Sequence, residues 1–125
     1  MGKDSFSDRE LDIMSVVWKD GSATVAEVRE NLSDKLAYTS VLKIMQILEE
    51  KGALRHETEG RAYRYFPVAT SQEAGDKAIN RILDKIFHGS AELLLARLVS
   101  DPDISPVEIK RMRALLDDAA ERDQS

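Results

Sequence analysis

The chain has 125 residues, 42% of them hydrophobic and 33% charged, with no cysteine, two histidines and a formal net charge of −5. That length fits one domain or two very small ones, and the missing cysteines exclude disulfides, thiolate metal sites, iron–sulfur clusters and a cysteine nucleophile. No apolar run approaches the ~18 residues of a membrane span, and the acidic total stands, at first sight, against a nucleic-acid partner.

Ser7 with Glu10 forms a capping box, after which Leu11, Met14, Val17 and Trp18 recur at helical spacing and Gly21 supplies a left-handed stop. A first helix is predicted from about Asp8 to Asp20. Thr24 and Glu27 repeat the box and open a short helix with Val25, Val28 and Leu32, ending near Ser33, while Ser22 to Thr24 has room for a single strand pair. Tyr38, Val41, Leu42, Met45 and Leu48 predict a third helix that stops at Gly52. The period then changes to two: Leu54, His56 and Thr58 alternate with Arg55 and Glu57, and Arg61 to Phe66 is rich in aromatic residues. Glu59-Gly60 sits between these runs as a hairpin turn, and Pro67, which cannot donate to a ladder, ends the second strand.

Thr70 with Glu73 is a third box, opening a helix whose apolar stripe is Ala74, Ala78, Ile79, Ile82, Ile86 and Phe87, with Gly89 as its stop. Ser90 to Val99 forms a shorter helix. Ser105-Pro106 with Glu108 starts a last one, with Val107, Ile109, Met112, Leu115 and Leu116 on its buried side and Arg122 to Ser125 frayed. The fold class is mainly α with a small β-hairpin. Three helices and then a hairpin are the layout of a winged helix-turn-helix, expected over residues 1–70, with a helical dimerisation region over 71–125.

On a helical wheel the third helix gathers Tyr38, Val41, Ile44, Met45 and Leu48 on one face and Thr39, Lys43, Gln46 and Glu50 on the other, with Ser40 and Ile47 on the flank. A helix entering a major groove needs short hydroxyls, an amide or a cation on the side away from its core. Thr39, Ser40, Lys43 and Gln46 meet that need. Arg61 and Arg64, beside the hairpin turn, are placed to reach phosphates or a narrow minor groove, with Tyr63 and Phe66 as packing residues. Residues 1–70 carry ten Lys/Arg against twelve Asp/Glu, yet Lys35 to Leu48 and Gly60 to Gln72 contain no acid at all. Screening limits electrostatic reach to about 8–10 Å at physiological salt, so this local pattern outweighs the total. Both segments expected to face duplex DNA are acid-free.

Nothing in the sequence suggests an enzyme. Acid pairs such as Glu49-Glu50 and Asp117-Asp118 are adjacent and do not face each other on a helix. There is no Ser/His/Asp order, glycine-rich phosphate loop or His-x-x-x-His spacing, and no cofactor or metal is expected. The C-terminal stripes hold more apolar surface than three helices hide alone. A homodimer built on Ile82, Ile86, Leu94, Leu95, Leu98 and Met112 is the economical reading, with a charged residue at Leu94 or Leu95 expected to give monomer. With no leader pattern the expected location is cytoplasmic, without membrane insertion. The competing reading is a winged-helix protein–protein interaction module that binds no DNA.

Several stretches resemble the penicillinase-repressor (BlaI/MecI/CopY) family: Ser7-Asp8-Arg9-Glu10-Leu11-Asp12-Ile13-Met14 through Trp18, Ala23-Thr24-Val25, Ala37-Tyr38-Thr39-Ser40-Val41-Leu42, Leu48-Glu49-Glu50-Lys51-Gly52 and Gly60-Arg61-Ala62-Tyr63-Arg64-Tyr65. The resemblance runs colinearly over nearly the whole chain. It implies a homodimeric winged-helix repressor on an inverted-repeat operator, with the recognition-helix contacts falling on Thr39, Ser40 and Lys43 and the wing arginine on Arg61. Copper-responsive members carry C-terminal cysteines, so thiolate copper sensing is excluded here. β-Lactam-responsive members are inactivated by a membrane sensor–protease pathway that cuts an Asn-Phe bond. The matching place is Arg97-Leu98 and the chain has no Asn-Phe pair, so as a partner that pathway would require a different scissile bond.

Overall fold

The computed structural model describes residues 6–122. In chain order the elements are α1 (Asp8–Asp20), β1 (Ala23–Thr24), α2 (Val25–Asn31), α3 (Tyr38–Glu50), β2 (Leu54–Glu59), β3 (Ala62–Pro67), α4 (Ser71–Lys85), α5 (Ala91–Val99) and α6 (Pro106–Arg122). The order and the boundaries follow local chemistry closely. Ser7 Oγ accepts from the Glu10 N–H at 3.1 Å while Glu10 Oε1 accepts from the Ser7 N–H at 2.8 Å. Thr24 with Glu27 and Thr70 with Glu73 close the same reciprocal pair. Each box satisfies N-terminal donors that a helix otherwise leaves orphaned. Gly21, at φ 84°, accepts the left-handed turn that ends α1. Helix α2 stops two residues before the expected Ser33. Arg122 is the last residue of α6 rather than a frayed one, and the rest of the expected frayed segment lies outside the described residues.

The hairpin is part of a three-stranded antiparallel sheet in the order β1-β3-β2. β3 pairs with β2 from Leu54↔Pro67 to Glu59↔Ala62, leaving Gly60 and Arg61 as a two-residue loop, one position later than the expected Glu59-Gly60 turn. Gly60 takes φ 61° and Arg61 does not go positive, the φ pattern of a II′ hairpin turn. On its other edge β3 pairs Tyr65 with Ala23 and Arg64 with Thr24. The short strand between α1 and α2 thus anchors the hairpin to the helices.

The chain divides into two compact units between Asn80 and Arg81, inside α4. The first holds the core: Ile13, Met14 and Val17 of α1, Val25 and Val28 of α2, Val41, Met45 and Leu48 of α3, and Ala23, Ala53, Leu54 and Tyr65 around the sheet. Two polar links tie distant parts of it together. Trp18 Nε1 donates to the Ala69 carbonyl at 2.8 Å, fixing the segment after β3 against α1. Lys51 Nζ donates to Glu10 Oε1 at 2.8 Å, joining the end of α3 to the start of α1.

Along α4, α5 and α6 the apolar stripes are not covered within the single chain. No residue of α4, α5 or α6 is buried within the chain. Ile79, Leu93, Val107 and Leu116 are all more than half exposed, and Leu115 is 69% exposed. Helical periodicity shows that a face is apolar, and it does not say that the same chain covers it.

Candidate nucleic-acid interface

Val41, Met45 and Leu48 are fully buried and seat α3 on the core. Their spacing turns Thr39, Ser40, Lys43 and Gln46 outward, and all four are exposed. None of these side chains makes a hydrogen bond or ion pair with another described residue. Ala37, the N-cap of α3, offers no side-chain acceptor and the first turn holds no acid, so no side chain of the helix neutralises its positive dipole end. Tyr38, expected to dock the helix, is 45% exposed because the first turn of α3 projects beyond the core, whose first α3 member is Val41. Ile47 lies at the edge of the outward face, also exposed.

The C-terminal end of α3 is fastened to the sheet. Glu49 holds His56 Nδ1 at 2.7 Å, and the His56 ring lies 4.3 Å from the Tyr63 ring centroid and 5.6 Å from that of Tyr65. The histidine is therefore a link between α3 and β2. Tyr65 is buried, whereas Tyr63 is about half exposed. Phe66 carries Arg55 over its ring at 4.4 Å.

The two wing arginines part company. Arg61 sits at the turn, exposed and with no partner among the described residues. Arg64 does not reach outward as expected. Its Nε and Nη2 donate to Glu59 at 2.8 and 3.0 Å, Nη1 and Nη2 donate to Glu27 at 3.0 and 3.1 Å, and Nη1 also donates to Ser22 Oγ at 3.3 Å. A guanidinium has five N–H donors, and all five are used inside the protein. The cause is register: β3 sets Arg64 opposite Thr24, the residue that caps α2, so the capping carboxylate of Glu27 lies within reach. Sequence reasoning missed Glu27 and Glu59 as partners, because Glu27 is 37 residues away and nothing in local spacing announces it.

These contacts, with the capping boxes at Ser7 and Thr70, contribute to the acid response of the fold. The Arg64 guanidinium holds the carboxyls of Glu27 and Glu59 below the usual carboxylate range, and they in turn raise Arg64. Burial pushes Glu10 up, but the Lys51 ammonium and the Ser7 N–H and hydroxyl together bring it below its ordinary value. The Thr70 hydroxyl and N–H lower Glu73. All four groups bind protons more weakly folded than unfolded. Their contribution to stability is therefore complete above the ordinary value of 4.5 and is lost as pH falls through the depressed folded values. Thermal midpoints should be flat from pH 7 to 5 through these groups and decline below, with a shallower decline in Glu10→Gln. A midpoint set by these carboxylates cannot fall mainly between pH 7 and 5.

Of the residues expected at a dimer interface, Ile82, Ile86 and Leu98 are exposed at 41%, 63% and 49%, while Leu94, Leu95 and Met112 are half-buried. Leu93, Val107, Leu115 and Leu116 are exposed apolar residues outside that set. Among the described residues no helix is long and apolar enough to cross a membrane, and no three acidic or histidine side chains are grouped to hold a metal ion.

Comparison with known proteins agrees with this geometry. The penicillinase repressor family model matches residues 6–118. The penicillinase repressor of Bacillus licheniformis is 26% identical over 118 residues, covering 93% of this chain and 92% of that protein. The methicillin resistance regulatory protein MecI of Staphylococcus aureus is 19% identical over 112 residues, covering 88% and 91%. The solution structure of the DNA-binding domain of the repressor BlaI is 32% identical and superposes with a TM-score of 0.52, over 58% of this chain and 90% of that domain. With the family match running from the residue before the first capping box into α6, the chain belongs to the penicillinase repressor family.

Proposed function

We propose that this protein is a transcriptional repressor that binds duplex DNA as a homodimer and catalyses no reaction. The observation that carries the reading is the outward face of α3. Thr39, Ser40, Lys43 and Gln46 are exposed and unpaired, in a stretch of chain without a carboxylate, and Arg61 stands free at the wing tip. Hydroxyls, an amide and an ammonium at these positions supply donors and acceptors for base edges in a major groove. Arg61 supplies a cation for the flanking phosphates. The relatives are repressors and resistance regulators by name, and the likeness of 58% of this chain to the BlaI DNA-binding domain supports the same use here.

In this reading residues 1–70 form the DNA-binding part and 71–125 the dimerisation part, with the uncovered apolar faces of α4–α6 closing on a second copy. Two-fold symmetry then calls for an inverted repeat whose half-sites lie about one helical turn, 10–10.5 bp, or a multiple of it apart. Because the chain is acidic overall, binding to arbitrary sequence should be weak. The test is a titration against a random-sequence duplex and against a duplex selected from a random pool, at two salt concentrations. The expected result is a log–log salt slope of about −0.9 for each phosphate contacted, with a clear margin for the selected duplex. Absence of binding at low salt, or binding indifferent to salt, favours a protein-interaction module instead.

A further inference from the structure

The wing tip is a two-residue loop at the far end of a two-stranded ladder, and β1 supports that ladder only at Ala23 and Thr24. Two-stranded ribbons twist readily and are marginal by themselves. A tip that must meet phosphates at a set angle to α3 needs a tether near the turn. The five donor contacts of Arg64 sit at that place. They join Glu59, the residue before the turn, to Glu27, whose Oε1 also accepts from the Thr24 N–H in the capping box of α2.

We propose that Arg64 is a positioning residue for DNA binding: its guanidinium clamps Glu59 beside the wing turn to Glu27 at the head of α2, holds Arg61 at a fixed angle to α3, and neutralises a carboxylate that faces the same phosphates. The inference rests on the repressor reading above. It reverses the simplest role for a wing arginine, that of a phosphate ligand, because no donor of Arg64 remains free.

Charge and clamp predict opposite signs for one substitution. Glu59→Gln removes a negative charge two residues from Arg61, and electrostatics alone would tighten binding. The clamp predicts weaker binding instead, by about tenfold, the worth of one charge-assisted hydrogen bond. It also predicts a salt slope smaller in magnitude by about one, as the Arg61 phosphate contact is lost. Arg64→Lys keeps the charge, but a point-charge ammonium does not hold two carboxylates in a planar fork, so it should weaken binding as much as Arg64→Gln.

The experiment uses the full chain and a duplex selected from a random pool by the unsubstituted protein. Affinities are measured over a salt series, and backbone ¹⁵N order parameters are recorded for the free protein. Order parameters of residues 59–62 should fall in Glu59→Gln and Arg64→Gln while those of α1 and α3 hold, which separates a loosened wing from a failing fold. Tighter or unchanged binding by Glu59→Gln overturns the proposal. So does wild-type affinity in Arg64→Lys with a loss confined to Arg64→Gln, the signature of a direct phosphate contact, and so do unchanged wing order parameters. If the unsubstituted chain selects no duplex even at low salt, the repressor reading falls and this inference falls with it.

Discussion

Leu115→Glu is expected to convert the protein to a monomer and to lower its affinity for an inverted-repeat duplex by a factor of about 10² or more. Leu115 is 69% exposed in the single chain, so a carboxylate there costs one protomer little, and glutamate is as good a helix former as leucine to within a few tenths of a kcal/mol. In a dimer that closes on the α4–α6 faces, the same charge is desolvated without a partner, which interfaces do not tolerate. Splitting the dimer removes the effective-concentration advantage of two linked readers, worth about 10²–10⁴ in affinity. Leu98→Glu, at a position 49% exposed, should behave alike. Sedimentation gives the oligomeric state, and binding to a single half-site should stay unchanged. A substituted chain that remains dimeric at micromolar concentration removes this face from the interface.

Lys43→Ala is expected to be the most damaging single change on the reading face. Lys43 lies near the centre of the outward side of α3, exposed and without a partner among the described residues. A lysine on a guanine edge contributes about 1–3 kcal/mol of discrimination. A symmetric dimer loses it twice, so affinity for the selected duplex should fall between about 30-fold and 10⁴-fold. The midpoint of thermal unfolding should hardly move, since surface substitutions away from structural contacts stay within about 0.5 kcal/mol. If affinity at fixed salt is unchanged, α3 does not read DNA through this face.

The elements were legible because their causes are local. Three capping boxes, a left-handed glycine after α1 and a change of period at Leu54 each act over a few residues, and the chain folds where they say. The reading face was legible for the same reason: once Val41, Met45 and Leu48 are buried, helical geometry alone sends Thr39, Lys43 and Gln46 outward. The partners of Arg64 were not legible because they come from three places in the chain that meet only through strand register. The same holds for Glu10 with Lys51 and Trp18 with Ala69, which are 41 and 51 residues apart.

The charge of −5 follows the same division. By itself the sequence determined where the acids are absent, and so which segments are electrostatically able to approach phosphate. Only the tertiary structure decided that two of the remaining acids, Glu27 and Glu59, are held by a single guanidinium beside the wing. It also decided that of two neighbouring arginines one is left free and the other bound. Composition and periodicity act along the chain over a turn or two, whereas the pairing of charges depends on which strands lie side by side, and that is set by the packing of the whole unit.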